Sequence, residues 1–348
     1  MATACINKPN CRISLTGERL EIHGTNEESD RDECLREIPL RDLDRLILSE
    51  SVHISSPALG EILRRGIPIG YFSWKGRFLG QFLPADNHHG FSRLIQYQRT
   101  LDSDYALTMA GRLIAAKLYN QRRVLQRLQA SRVKSLPNDE VVPPVAGSVP
   151  HTLQFLDSLF ASIRRSTSLD ELRGYEGTSA ARYFQAWASF LPAAFPFERR
   201  STRPPRNPVN ACISFGATLI TNEMTAFLHA HGLDPALGLL HTTENGRWSL
   251  ALDLIEPFRP ALVEALALDL FSHQIVKANH FESRDNGVFL NHDGRQKFFL
   301  QYERRMERQF MSESAGHRTT LRQQLEAQAL MFKAALSKPD AFEPFLIN

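Results

Sequence analysis

Short apolar or alternating runs, punctuated by Gly, Asn and Asp, open the chain: Arg12-Ile13-Ser14-Leu15, Leu20-Glu21-Ile22 and Leu46-Ile47-Leu48. Successive side chains of a strand point to opposite faces, so this alternation predicts short strands. A hairpin is predicted where Ile67 to Ser73 is followed by Lys75-Gly76-Arg77 and then Phe78 to Phe82. One helix interrupts the region: Ser56-Pro57 ahead of Ala58-Leu59-Gly60-Glu61-Ile62-Leu63 places Ser56 as cap and Pro57 in the first turn.

From about Phe91 the spacing becomes helical, most clearly over Gly111 to Lys134. At 100° per residue Ile114, Leu118, Leu125 and Leu128 share one stripe, while Arg112, Arg123, Arg127 and Lys134 fall opposite. The interval 112–134 holds seven Lys or Arg and no acid, which suits a solvated helix face or a stripe that contacts phosphates. Ser135 to Pro150 carries Pro137, Pro143, Pro144 and Pro150 with few large apolar residues, and reads as a flexible loop.

Helical patterns follow over His151 to Ile163, Thr178 to Phe190, Val209 to His231, Asp253 to Asn279 and Gln296 to Leu336, the last broken near Ser312 to Gly316. A second basic cluster, Arg199, Arg200, Arg203 and Arg206, sits in a Pro-rich stretch unsuited to a helix. The expected fold is therefore α+β: a small N-terminal β-rich domain over 1–87, then a larger all-α domain over 88–348, with the flexible loop at 135–150. No internal repeat is visible.

The length of 348 residues suffices for two domains and a sizeable core, and the 43% hydrophobic and 23% charged fractions are those of a globular protein. A net charge of +3 is mild, so a nucleic-acid role must come from local clustering. Cys5, Cys11, Cys34 and Cys212 show no CxxC pair and no His at zinc-finger spacing, which suits free thiols in a reducing compartment. The first residues lack the basic and apolar regions of a signal peptide. No unbroken apolar stretch approaches the roughly 20 residues of a membrane span. A cytoplasmic protein without membrane attachment is expected.

Chemistry concentrates between Gly238 and Pro260. His241 precedes Asp253 and Glu256, whose i, i+3 spacing puts both carboxylates on one helix face. A further carboxylate, Glu176, lies between Gly174 and Gly177. Each has an ordinary reading as well: Glu176 as a first-turn acid of the helix beginning near Thr178, His241 as a core or loop histidine, and Asp253 and Glu256 as a solvated pair. Against the last stands their apolar company, Leu250, Ala251, Leu252, Leu254 and Ile255, since buried like charges need a counter-ion or raised pKa values.

Carboxylates with one imidazole favour Mn²⁺ and permit Mg²⁺, and phosphodiester chemistry is the natural match. The chain has no GxxxxGK[ST], GxGxxG or GxSxG signature, and His280, Asn291 and His292 lack the flanking pattern of a His-Asn-His nuclease. Trp74, Trp187 and Trp248 suit core positions better than base-stacking platforms.

Taken together, these residues resemble the Cas-one family, the CRISPR-associated integrases that insert new spacers. Gly174-Tyr175-Glu176-Gly177 with Ala180-Ala181-Arg182-Tyr183-Phe184 resembles its first acidic motif. Pro208-Val209-Asn210, with Gly232-Leu233-Asp234-Pro235 through Gly238-Leu239-Leu240-His241, resembles the second block, and Ser249 through Pro260 the third. The N-terminal region agrees in Ile38-Pro39-Leu40, Leu43-Asp44, Ile54-Ser55-Ser56-Pro57-Ala58-Leu59 and Gly66-Ile67-Pro68-Ile69. Ala217 departs from the family, which commonly has tyrosine there.

The resemblance implies an N-terminal β-domain that builds a homodimer and an α-helical domain that holds Mg²⁺ or Mn²⁺. The implied ligands and catalytic residues are Glu176, His241 and Glu256, with Asp253 as a supporting acid. Two such dimers would flank a dimer of the companion Cas-two protein, hold a short duplex with 3′ overhangs, and join its 3′-hydroxyl ends to CRISPR repeat DNA by transesterification. Arg112, Arg123, Arg127, Lys134, Arg182, Arg199, Arg200, Arg203, Arg206 and Arg259 are candidate DNA contacts. Two other functions use the same residues or fewer: a metal-dependent, structure-specific repair nuclease with water as nucleophile, and a non-catalytic DNA-binding scaffold.

Overall fold

A computed structural model describes residues 3–26, 30–73, 77–85, 89–134, 149–312 and 316–347. The expected loop lies, for 135–148, outside these residues, as do Trp74, Lys75 and Gly76. The chain forms two compact units, Met1–Leu94 with Asn222–Asp234, and Ile95–Thr221 with Pro235–Asn348.

The first unit carries two four-stranded sheets. Its elements are β1 (Thr3–Ile6), β2 (Arg12–Thr16), β3 (Arg19–Thr25), β4 (Asp32–Pro39), β5 (Arg45–Ser49), β6 (His53–Ile54), α1 (Ser56–Arg64), β7 (Ile69–Phe72) and β8 (Phe78–Phe82). One sheet runs β1-β5-β7-β8 and the other β4-β3-β2-β6. The β2–β3 turn is two residues long, Thr16 pairing Arg19, with Gly17 at φ 60°, as tight hairpins of this twist require. In β3 the alternation is realised: Leu20, Ile22 and Gly24 are buried while Arg19 and Thr25 are exposed. Leu20 and Ile22 join Ile13, Leu46, Leu48, Ala58, Ile62 and Ile69 in one core.

The hairpin of β7 and β8 forms as expected, Ile69 opposite Phe82. The α1 cap moves by one residue: Ser55, not Ser56, accepts the N–H of Ala58, because the helix already begins at Ser56. Residues 222–234 complete the unit, with the Arg45 guanidinium 3.9 Å from the Phe227 ring centroid and His229 stacked on Phe78.

The second unit is mainly helical. It contains most of α2 (Gly90–Thr100), then α3 (Ser103–Lys134), α4 (Val149–Arg164), α5 (Leu169–Ala188), the first part of α6 (Pro208–Ala230), α7 (Ser249–Ile255), α8 (Ala265–Ser272), β9 (Phe281–Arg284), β10 (Gly287–Leu290), α9 (His292–Glu307), β11 (Phe310–Ser312), β12 (His317–Thr319) and α10 (Leu321–Ala335). Ile114, Leu118 and Leu125 of α3 are fully buried, with Leu156 of α4 and Leu172, Tyr183 and Trp187 of α5. Helix α6 is long and apolar enough to cross a membrane, a pattern not expected from the sequence; 67% of its most apolar stretch is buried within the protein.

Several expectations need correction. The all-α reading misses two hairpins, β9–β10 and β11–β12. In the first, Asp285 and Asn286 both take positive φ, 49° and 57°, and Gly287 pairs Arg284, so the Asp-Asn-Gly run is a two-residue hairpin turn. The single helix expected over Asp253 to Asn279 is broken after Ile255. Pro257 and Pro260 lack the N–H that would continue the ladder, and Arg259–Glu264 widens into a π-turn before α8. The helix expected from Thr178 begins at Leu169, because Ser168 accepts the N–H of Glu171 as its cap. Finally, Asn291 is the cap of α9, and His280 Nδ1 accepts the N–H of Lys277; both act as local structure.

Candidate metal centre

The early start of α5 changes the setting of Glu176, which stands in mid-helix rather than in a first turn. Its flanking glycines leave the helix surface bare: a Cβ at Gly174 or Gly177 would meet nothing within 4 Å. The side chain, 31% exposed, reaches Lys117 Nζ of α3 in a very short contact. Glu256 follows the last residue of α7, and its buried Oε2 lies 2.6 Å from the same Nζ. Two carboxylates from distant parts of the sequence therefore converge on one ammonium, and Arg259 Nη1 donates to the other Glu256 oxygen at 3.0 Å.

The electrostatics follow from burial and charge. Burial alone would raise the Glu256 carboxyl, yet Lys117, Arg259 and His241 outweigh it and hold it at about 2. Burial would likewise strip the proton from Lys117; the charges of Glu256 and Glu176 prevail, and its pKa is raised. Arg259 is raised chiefly by Glu256, against burial. Behind this group Glu264 is buried, and desolvation pushes its carboxyl up despite the charges of Arg259 and Lys117. Burial also lifts the hydroxyl of Tyr183 well above its ordinary value, with Glu264 adding to the effect, and lowers Arg200 to about 10.

His241 is set by a separate device. Asp253 of α7 is fully buried and accepts four N–H groups: Leu239 N at 2.6 Å and Leu240 N at 3.1 Å on Oδ2, His241 N at 3.0 Å and His241 Nδ1 at 2.6 Å on Oδ1. A carboxylate only accepts, so the imidazole proton sits on Nδ1 and the lone pair on Nε2. Gly238 makes this seat possible, since a Cβ there would lie 2.3 Å from His241 O and 2.6 Å from Ser249 Cβ. Arg173 of α5 donates to Leu240 O at 2.9 Å, tying the loop to the helix that carries Glu176.

Glu176, Glu256 and His241 are thus gathered in one unit, His241 being near enough to Glu256 for a protonated ring to lower its carboxyl. Among the described residues, however, no three His, Cys, Asp or Glu side chains stand in a ready ligand set. Lys117 occupies the space between the carboxylates. The donors fit a hard divalent cation in kind, and the convergence on an ammonium marks the place as one that takes positive charge. Asp253 is spent on backbone and imidazole N–H groups and acts as an orienting acid.

The proposed DNA contacts divide. Arg127, Arg182, Arg199, Arg203 and Arg206 are exposed, Arg182 lying over the Phe155 ring and Arg206 donating to Asn286 O. Arg112 instead binds Pro339 O, Phe342 O and Asp340; Arg200 binds Asn210 Oδ1; Arg259 is committed to Glu256; Arg123 is partly buried beside Gln126. The Lys134 side chain lies outside the described residues. Sequence reasoning passed over Lys117. Its signal was position: it stands among Leu113, Ile114 and Leu118, a lone cation on an apolar stripe.

Asn120, one turn further along α3, was also missed. It donates to Pro257 O at 2.7 Å and Phe345 O at 2.9 Å and accepts from Ile347 N at 2.9 Å, binding α3 to the segment after Glu256 and to the C-terminal segment.

Known proteins resemble the chain over most of its length. A CRISPR-associated exonuclease Cas4/endonuclease Cas1 fusion from Geobacter sulfurreducens is 32% identical over 338 residues, 95% of this chain. The chain spans only 58% of that relative's length. A "CRISPR-associated endonuclease Cas1 1" from Thermodesulfovibrio yellowstonii is 29% identical over 317 residues, 89% of this chain and 92% of its own. A solved structure, "Partial Cas6-RT-Cas1--Cas2 complex", superposes with a TM-score of 0.76 at 23% identity, over 99% of this chain and 98% of that one, and shows the shared fold. The family profile "CRISPR associated protein Cas1" matches residues 4–304, and the chain belongs to that family.

Proposed function

We propose that this chain is a metal-dependent DNA integrase of CRISPR adaptation, joining 3′-hydroxyl ends of short duplex DNA to CRISPR repeat DNA by transesterification. One observation carries the reading: Glu176 and Glu256 converge on a single cationic position while Asp253 holds His241 through Nδ1. Glu176, Glu256 and His241 would hold Mg²⁺ or Mn²⁺, which supplies Lewis acidity toward a hydroxyl and a phosphoryl oxygen.

The chain's own groups prepare that position. Arg259 keeps one Glu256 oxygen fixed, Asp253 locks the His241 tautomer, and the glycines beside Glu176 leave room for a bulky backbone to approach. The exposed Arg127, Arg182, Arg199, Arg203 and Arg206 would contact phosphates, giving weak sequence preference and strong salt dependence. A homodimer acting with a companion Cas-two dimer is the assembly we propose, supported by the Cas1–Cas2 complex named among the structural relatives.

The test supplies labelled 3′-hydroxyl duplex, a repeat-bearing plasmid and the companion protein. Glu176→Ala or His241→Ala should abolish joined product while DNA binding survives. Wild-type joining by either variant would overturn the site, and release of fragments without joined product would identify a hydrolytic nuclease instead.

A further inference from the structure

We infer that Lys117 is a resident counter-ion holding the metal position closed, and that Glu264 takes over its ammonium when a divalent cation enters. The inference rests on the metal site proposed above. Lys117 Nζ touches Glu176 Oε1 and lies 2.6 Å from Glu256 Oε2. A small divalent cation on the same oxygens would sit about 2.0–2.2 Å from each. Ammonium and metal therefore claim one volume, and their charges repel.

Lys117 cannot respond by moving into water in place, because the residue is 4% exposed. It needs a buried acceptor, and the structure holds one. Glu264, on the π-turn after Arg259, is 1% exposed; the Tyr183 hydroxyl stands against its carboxyl, and its buried Oε2 has no hydrogen bond of ordinary geometry among the described residues. It is near enough for the Lys117 charge to act on it. One helical turn along α3 from Lys117, Gln121 is fully buried with both amide atoms likewise unpartnered among the described residues, a second unsatisfied polar group on this helix.

Without metal, Lys117 and Arg259 offset Glu176 and Glu256; with a dication on those carboxylates Lys117 would be surplus, and an ionised Glu264 would offset it, leaving Arg259 as the net positive charge of the group. The flexible four-carbon stem of lysine permits the exchange, whereas the planar fork of arginine would not.

Mn²⁺ binding without DNA, by calorimetry, tests this on the full chain. Wild type, Lys117→Met, Glu264→Gln, the double variant and His241→Ala are compared, with thermal unfolding alongside. Lys117→Met should bind Mn²⁺ at least about tenfold tighter, and its metal-free form should melt lower and recover more on Mn²⁺ addition than wild type. Glu264→Gln should weaken Mn²⁺ binding about fivefold or more in the wild-type background and have no effect beside Lys117→Met.

Unchanged or weaker binding by Lys117→Met overturns the inference, as does an equal effect of Glu264→Gln in both backgrounds. If Lys117→Met does not fold, Glu264→Gln alone decides, unchanged affinity being the refuting result. Absence of His241-dependent Mn²⁺ binding in wild type would fell the metal site itself, and this inference with it. His241-dependent binding that ignores Lys117 and Glu264 fells only the inference.

Discussion

Asp253→Asn keeps the shape of a fully buried side chain and replaces one acceptor oxygen by a donating amide. Four N–H groups now converge on the carboxylate, two on each oxygen. If the new NH₂ faces Leu239 and Leu240, two backbone donors lose their acceptor at about 1–3 kcal/mol each, about 2–6 in all. If it faces His241, only one backbone donor is orphaned, about 1–3 kcal/mol, because Nδ1 can accept from the amide once its proton moves to Nε2. The second arrangement costs less and should prevail.

Its consequence is specific: the nitrogen meant for a metal now carries a proton. Removing a partner that orients a histidine ligand lowers metal affinity roughly 10- to 100-fold, or about 1.4–2.8 kcal/mol. Urea unfolding followed through Trp187, which is buried in the same unit, reads the stability loss; calorimetry with Mn²⁺ reads the affinity. Nitrogen-15 spectra of the His241 ring report the tautomer. A variant that keeps wild-type Mn²⁺ affinity and the Nδ1–H tautomer would refute the reasoning.

Gly238→Ala should cost about 1–3 kcal/mol through overpacking and weaken Mn²⁺ binding as His241→Ala does, since the added carbon would press on His241 O and Ser249; a wild-type melting curve and affinity would show that the seat tolerates it. Asn120→Ala removes three hydrogen bonds and should destabilise by roughly 2–4 kcal/mol, with faster hydrogen exchange at the Ile347 amide as the local signature. Chelation with EDTA should eliminate joining and leave DNA retention in a gel shift, while rising salt should weaken retention and joining together.

In the first unit, burial lowers His229 below its ordinary 6.5, with Arg93 acting the same way and Asp234 opposing. Between the folded value and 6.5 the unfolded chain binds the extra proton, so stability should fall as pH drops below about 6.5. Thermal unfolding of wild type and His229→Gln between about pH 7.5 and 5.5 checks the sign, and identical pH profiles would contradict it.

Local pattern alone determined a good deal. The strand over 19–25 was readable because one face is buried and the other wetter, which writes a period of two into the residues, and 45–49 as a short apolar run buried on both faces. The long α3 was readable for the matching reason at a period of 3.6. Boundaries were less so: the helix expected from Thr178 starts at Leu169, where Ser168 caps it and Leu172 is buried.

For the candidate site, the residue types and their order carried the resemblance, so Glu176, His241, Asp253 and Glu256 could be nominated from sequence. The resemblance set Asp253 apart as a supporting acid, but the residues alone could not say what it supports, since that depends on partners the fold supplies. Tertiary structure decided that Asp253 is consumed by four N–H groups, and that Glu176 and Glu256, 80 residues apart in the numbering, meet across Lys117. It also withdrew Arg112, Arg200 and Arg259 from the free basic surface by giving each an internal acceptor. The physical reason is common to these cases: a charge is defined by what neutralises it, and that partner is brought by the fold from far along the chain.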